Sequence, residues 1–228
     1  MERRFERELE SLKTTVIKMG SVVEESLTQS IEAVLREDTA LARKVIEADT
    51  RINSLEIEID NAVIDLLALQ QPVATDLRLI LAVQKINNDL ERIGDHAVNI
   101  AESAEWLAKT PAKEPLLQIP RMAELTRTVL RHALDSFILL DPKLAHSVLE
   151  RDDQIDALNR DTVLEVIGLI KSDARTVDGG MQIIRISRNF ERVGDLSTNI
   201  AEEVIFLTQA RVVKHHASDP HHHGRSQG

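Results

Sequence analysis

The chain has no cysteine and no tyrosine, and only one tryptophan and four phenylalanines in 228 residues. Without cysteine there can be no disulfide, thiolate metal site or cysteine nucleophile, which agrees with a reducing compartment. The shortage of aromatics leaves Leu, Ile, Val and Ala to build a core, and such cores suit helices packed side by side. No apolar run reaches the roughly 18 residues that a membrane span needs, and the opening MERRFERELESLK has no apolar signal core. A soluble, cytoplasmic protein is expected, one that meets a membrane only through a partner. Basic residues are outnumbered 28 to 38, and the net charge of −10 argues against nucleic-acid binding while favouring cations.

Catalytic signatures are missing too. No Glu-x-x-His occurs, so a ferritin-like di-iron oxidase lacks its ligands. There is no Walker A loop, no G-x-G-x-x-G and no spacing that suggests a Ser/His/Asp set. The chain is not expected to be an enzyme.

What is present is a helical period. Leu9, Leu12, Val16, Met19, Val23 and Leu27 place a first long helix between Phe5 and Arg36. A second, capped by Asp38 or Thr39, carries Leu41, Val45, Ile52, Leu55, Ile59, Val63 and Leu66 and ends at Gln70-Gln71-Pro72. A third begins near Thr75-Asp76 with the seam Ile86, Leu90, Ile93, Ala97 and Ile100. Pro111, Pro115 and Pro120 mark a linker. Beyond it, helices are expected over Leu130 to Leu140 and, after the Asp141-Pro142 cap, over Leu144 to Ile170. Gly179-Gly180 lies just before a last helix, from about Met181 past Leu207, with the seam Ile186, Phe190, Val193, Ser197, Ile200, Val204 and Leu207.

The two halves are copies. ERIGDHAVNIAE (91–102) returns as ERVGDLSTNIAE (191–202), identical at eight of twelve positions. VIEADTRINSL (45–55) likewise aligns with VLERDDQIDAL (148–158). The expected fold is all-α: two tandem antiparallel three-helix bundles, 1–110 and 121–213, joined by a linker 111–120 and followed by a disordered His-rich tail 214–228. Such a His tract can bind transition metals, but a solvated tail is the plainer reading.

Most of the repeated motif residues are polar, which points to chemistry as well as packing. Glu91, Asp95 and Asn99 are spaced i, i+4, i+8, as are Glu191, Asp195 and Asn199. At 100° and 1.5 Å per residue such a set drifts about 80° around the helix over about 12 Å, a nearly straight row of oxygen donors on the outward side of the seam. Glu102 and Glu202 extend the rows. Carboxylate and carboxamide donors suit hard cations, and a row of this length has room for several metal ions. The second helices add Asp49, Asn53, Glu56 and Asp60, partly repeated as Asp152, Asp156 and Asn159, which would face the third-helix rows across a groove. Acidic residues at this spacing on an outer face are commonly just solvated, and the residues alone leave that reading open. Arg92 and Arg192 stand three residues before Asp95 and Asp195, the spacing of a local ion pair. Gly94 and Gly194, in mid-helix, suggest close approach of a neighbouring helix. His96 has Leu196 as its counterpart and is taken as incidental.

At these residues the chain resembles the PhoU family of phosphate-signalling regulators: in the LERIGD and FERVGD helices, the Gln70-Gln71-Pro72 turn, the following Ala74-Thr75-Asp76-Leu77-Arg78, and Met19-Gly20 in the opening helix. The resemblance implies two three-helix bundles and a multinuclear metal site on each motif helix, with iron first among the candidates and manganese, magnesium, calcium or zinc as alternatives. The family's third ligand position is often Asp, and Asn99 and Asn199 each remove one charge here. It also implies a homodimeric negative regulator of phosphate uptake that bridges the ATP-binding subunit of the phosphate ABC transporter and a membrane sensor histidine kinase. A metal-storage helical protein and a metal-independent helical adaptor are the competing readings.

Overall fold

The computed structural model of the chain describes residues 2–70, 72–110 and 116–209. The order is α1 (Glu2–Arg36), α2 (Thr39–Gln70), α3 (Ala74–Lys109), α4 (Ile119–Leu139), α5 (Pro142–Ser172) and α6 (Val177–Gln209), with a short 3₁₀ turn at Ala174–Thr176 before α6. No strand occurs among the described residues.

Local chemistry sets the helix ends. Asp38 Oδ1 accepts the Ala40 and Leu41 N–H groups, both at 3.0 Å, and so caps α2. Asp141 does the same for α5 through Lys143 and Leu144, at 2.8 and 3.3 Å, with Pro142 in the first turn, where no N–H is needed. Leu140 closes α4 in the left-handed region at φ 49°. Pro120 also occupies a first helical turn, so α4 opens at Ile119, inside the segment expected as linker. Positions 111–115 of that linker and the tail 214–228 lie outside the described residues.

Two helix starts lie earlier than the sequence reading places them: α4 begins at Ile119 and not Leu130, and α6 at Val177 and not Met181. Gly179 and Gly180 lie within α6 and are buried rather than preceding the helix. A Cβ at Gly180 would stand 2.7 Å from Val166 Cγ1, so this glycine serves the close approach of α5 to α6 and not a turn. The turn is made instead by Asp173, whose Oδ1 accepts the Arg175 N–H at 2.9 Å.

Each half is a three-helix unit. Helix α1 packs on α2 and α3, which also pack on each other, and α4, α5 and α6 repeat the arrangement. The halves join through α3 against α6 and α1 against α4, so both motif helices are central, each touching three others. The expected seams are buried: Ile86, Leu90, Ile93, Ala97 and Ile100 on α3, and Ile186, Phe190, Val193, Ser197, Ile200 and Val204 on α6, with Leu207 at the seam's end only partly buried. Burying each large aliphatic side chain contributes about 1.5–3 kcal/mol, and the buried residues form one cluster running through both halves. Ser197 fits this core because its hydroxyl donates to the Val193 carbonyl at 2.7 Å. No helix among the described residues is long and apolar enough to cross a membrane.

Candidate metal grooves on the repeated helices

With the seams turned inward, the motif carboxylates fall at the edges of α3 and α6, where α2 and α5 come alongside. Glycine makes that approach possible. A Cβ at Gly94 would sit 2.9 Å from Ile52 Cδ1 and 3.3 Å from Ile52 Cγ2, and one at Gly194 would sit 3.0 Å from Ile155 Cδ1 and 3.2 Å from Asp152 Oδ1. Gly94→Val is therefore expected to lose about 1–3 kcal/mol of stability by overpacking the α2–α3 contact. Gly168→Ala, at a helical position with nothing within 4 Å, is expected to gain about 0.5–1 kcal/mol. Urea unfolding of the two variants checks both signs.

In the first groove, Asp49, Asn53 and Glu56 of α2 face Glu91 and Asp95 of α3. Asp49 Oδ2 accepts from Asn53 Nδ2 at 3.0 Å, yet Asp49 Oδ1 and Asn53 Oδ1 are buried without a hydrogen-bond partner. Burial raises the Glu91 carboxyl above its ordinary range, and Asp95, Glu56 and Asp49 push the same way. Glu56 is raised by burial and then by Asp60 and Asp95. Asp49 is raised by burial, partly offset by the Asn53 hydrogen bond, with Asp95 adding to the rise. Among the described residues none of Asp49, Glu56, Glu91 and Asp95 forms an ion pair. Arg92 turns away from Asp95 and lies 4.0 Å from Asp89, so the expected Arg92–Asp95 pair does not form. Asp60 is occupied: Gln84 and Asn87 each donate to its Oδ1 at 2.8 Å, tying α2 to α3.

The second groove repeats the plan with more compensation. Burial raises Glu191, where Arg192 and Arg188 oppose the rise and Asp195 and Asp156 add to it. Arg192 makes its expected pair with Asp195 at 2.9 Å and also lies 3.5 Å from Glu191. Asn159 Oδ1 accepts the Ser187 hydroxyl at 2.7 Å and acts as a packing group.

The far ends of the proposed rows go elsewhere. Asn99 Oδ1 accepts from Arg185 of α6 at 2.8 Å, and Glu102 pairs with the same guanidinium at 2.5 Å. Asn199 donates to Asp89 of α3 at 3.5 Å, and Glu202, half-buried on α6, stands three residues further along. Asn99, Asn199 and Glu102 are thus drawn into the α3–α6 contact, away from the carboxylates one and two turns earlier. That contact holds residues sequence reasoning passed over: Arg185, Lys85 paired with Glu203 at 2.6 Å, and His96, whose Nδ1 meets Asn189 Oδ1 at 2.8 Å. Burial holds His96 below the ordinary imidazole range. A repeat signal existed for two of them, since Lys85 and Arg185 occupy equivalent positions, but not for His96, whose counterpart is Leu196.

The residues present fit a hard cation by donor type, by the two orphaned buried oxygens and by the raised carboxyls, each of which a positive ion would relieve. As the side chains stand, no three carboxylate or imidazole groups among the described residues converge closely enough to hold one ion. Asp95 is exposed and Glu56 half-buried, so both have room to turn into the groove.

The sequence matches the PhoU domain twice, over residues 16–104 and 119–204, one match to each helical unit. The chain belongs to the PhoU family. It is 38% identical over 209 residues to the phosphate-specific transport system accessory protein PhoU homolog of Aquifex aeolicus, covering 92% of this chain and 95% of the relative. Identity to the corresponding Escherichia coli PhoU is 32% over 215 residues, 94% of this chain and 89% of that one. The crystal structure of PhoU from Pseudomonas aeruginosa superposes with a TM-score of 0.89 at 34% identity, covering 91% of this chain and all (100%) of that one. The phosphate transport system regulatory protein PhoU from Streptococcus pneumoniae gives 0.84 at 30% identity, covering 92% and 99%. These relatives are named as accessory or regulatory proteins. Each of the two matched segments contains one acidic groove of this chain.

Proposed function

We propose that this PhoU chain is a negative regulator of phosphate uptake and phosphate-starvation signalling. It acts on the cytoplasmic side by contact with the ATP-binding subunit of the phosphate ABC transporter and with a phosphate-responsive sensor histidine kinase. Hard cations, iron first among them, occupy the acidic grooves and fix their charge and shape for those contacts. Asp49, Asn53, Glu56, Glu91 and Asp95 would hold the ions in the first groove, and Asp152, Asp156, Glu191 and Asp195 in the second. A bound ion supplies charge neutralisation and crosslinks α2 to α3, and no reaction is required of it. The observation that carries this reading is the first groove: four carboxylates without an ion pair, beside two buried oxygens without a donor.

The test is a phosphate-starvation reporter in phosphate-replete cells lacking their own copy. Wild type is expected to restore repression, whereas the folded Glu91→Ala/Asp95→Ala double variant leaves the reporter on. Unchanged repression by the variant sinks the metal-dependent reading. One observation favours a metal-independent adaptor, namely that no three donors converge in the groove as it stands. Pull-down of the transporter subunit with and without a chelator separates the two, because an adaptor binds equally in both.

A further inference from the structure

Besides the acidic row, α6 presents a second outward face of opposite charge. Arg185, Arg188 and Arg192, at i, i+3 and i+7, line a groove of about 240 Å³ together with Met181, Ile184 and Asn189. In a chain of net charge −10, three guanidinium groups line one groove, the outer two paired with carboxylates at its ends, Arg185 with Glu102 and Arg192 with Asp195, and Arg188 between them without such a pair. The internal duplication shows what packing alone requires at this face. One hundred residues earlier the three arginine positions read Lys85, Asn88 and Arg92, and Asp89 stands where Asn189 lies in the groove. The first copy therefore carries two positive charges and one negative where the second carries three positive. Both copies form a central helix, and they differ in charge at this face.

The local bonding leaves the groove ready for an anion. Arg188 is exposed and makes no hydrogen bond or ion pair with another described residue. Arg185 is anchored across the α3–α6 contact by Asn99 and Glu102, which fixes one end of the groove. Asn189 Nδ2 donates to the Arg185 carbonyl at 2.7 Å and its Oδ1 meets His96 at 2.8 Å, so its acceptor oxygen is already engaged and does not add negative character to the lining. Arg192 closes the other end, shared with Asp195 at 2.9 Å. Guanidinium forks match oxyanions through paired N–H groups, and the three stem positions span about 10 Å of helix, more than one phosphoryl group occupies.

We propose that this α6 groove is a binding site for phosphoryl oxyanions, with linked phosphoryl groups as in pyrophosphate or a nucleoside triphosphate fitting its length better than a single phosphate. The site adjoins the second acidic groove, which it meets at the Arg192–Asp195 pair, and does not depend on a metal. The test is isothermal titration calorimetry on the full chain, in chelator and phosphate-free buffer, with pyrophosphate, ATP and inorganic phosphate as probes and a hexaglutamate peptide as competitor. Saturable binding is expected, with pyrophosphate and ATP both tighter than phosphate. ATP tighter than pyrophosphate assigns the source to a nucleotide, pyrophosphate at least as tight as ATP assigns it to a free inorganic anion, and phosphate tighter than both overturns the proposal. Arg188→Gln, at an exposed side chain that makes no hydrogen bond or ion pair with another described residue, should weaken it by about tenfold or more with little change in melting temperature. No saturable binding of any of the three probes, or undiminished binding by Arg188→Gln, overturns the proposal. Equal competition by hexaglutamate also overturns it and assigns the groove to an acidic protein partner.

Discussion

Replacing Asp89 with Asn is expected to raise the unfolding free energy at pH 7.5 by up to about 3 kcal/mol and to remove the Asp89 share of the fall in stability between pH 4 and 7. Asp89 is buried at the α3–α6 contact, 9% exposed, with only a 3.5 Å hydrogen bond from Asn199 and Arg92 at 4.0 Å. Burial pushes its carboxyl up from 3.8 to about 6, against the smaller opposing pulls of Asn199 and Arg92. The native state therefore holds this proton more tightly than the unfolded chain. Below about pH 4 both states are protonated and no penalty exists. Between pH 4 and 6 the unfolded state ionises first, so native stability falls as pH rises, and above pH 6 the penalty stands at its full value. Two pKa units at about 1.4 kcal/mol each set the ceiling, and relaxation around the carboxylate lowers the realised figure. Asparagine keeps the contact with Asn199 without the charge, and the equivalent residue on α6, Asn189, shows that the helix accommodates it. Urea unfolding across this range should show the gain at pH 7.5 vanish near pH 4, whereas a neutral or destabilising effect at pH 7.5 would contradict the buried-carboxylate account.

The Asp49→Asn/Glu91→Gln/Asp95→Asn triple variant is expected to be more stable than wild type in chelator and less stable in saturating divalent cation. Like charges on neighbouring turns cost about 0.2–0.5 kcal/mol per pair, and the burial of Glu91 and Asp49 adds to that. Neutralising all three should return about 1 kcal/mol to the metal-free protein. The same change removes the ligands, so the variant forgoes the stabilisation that a bound ion gives wild type, about 2.7 kcal/mol at a hundredfold excess over Kd. Thermal melts with and without manganese form the cycle. A sign change between the two conditions is the predicted signature, and parallel shifts would mean that the groove carboxylates are solvated and hold no ion.

The helices, their duplication and the buried seams were legible in the sequence because they rest on local periodicity and capping, which need no knowledge of neighbours. Asp38 and Asp141 cap where their spacing said they would. What needed the structure were choices between partners of similar chemistry. Arg92 and Arg192 share the Glu-Arg-x-Gly-Asp setting, yet Arg192 pairs with Asp195 while Arg92 faces Asp89, which in the other copy is Asn189 and offers no charge. Asn99 sits in register with Glu91 and Asp95, but the 80° drift of an i, i+4, i+8 row carries it into reach of Arg185 on α6. Gly180 read as a turn because a buried helix–helix contact and a loop call for the same residue. In each case a contact between segments distant in the chain decided the outcome.

The central claim is that the acidic grooves of this PhoU chain hold hard cations, and its most direct test is elemental analysis by mass spectrometry. The full-length protein would be purified without a metal-affinity step and compared with a variant carrying Glu91→Gln, Asp95→Asn, Glu191→Gln and Asp195→Asn. Because the His-rich tail is common to both, the difference between them isolates the grooves. The account predicts stoichiometric metal in wild type, led by iron, that is lost in the folded variant. Equal metal content in the two proteins, or none in either, would contradict it.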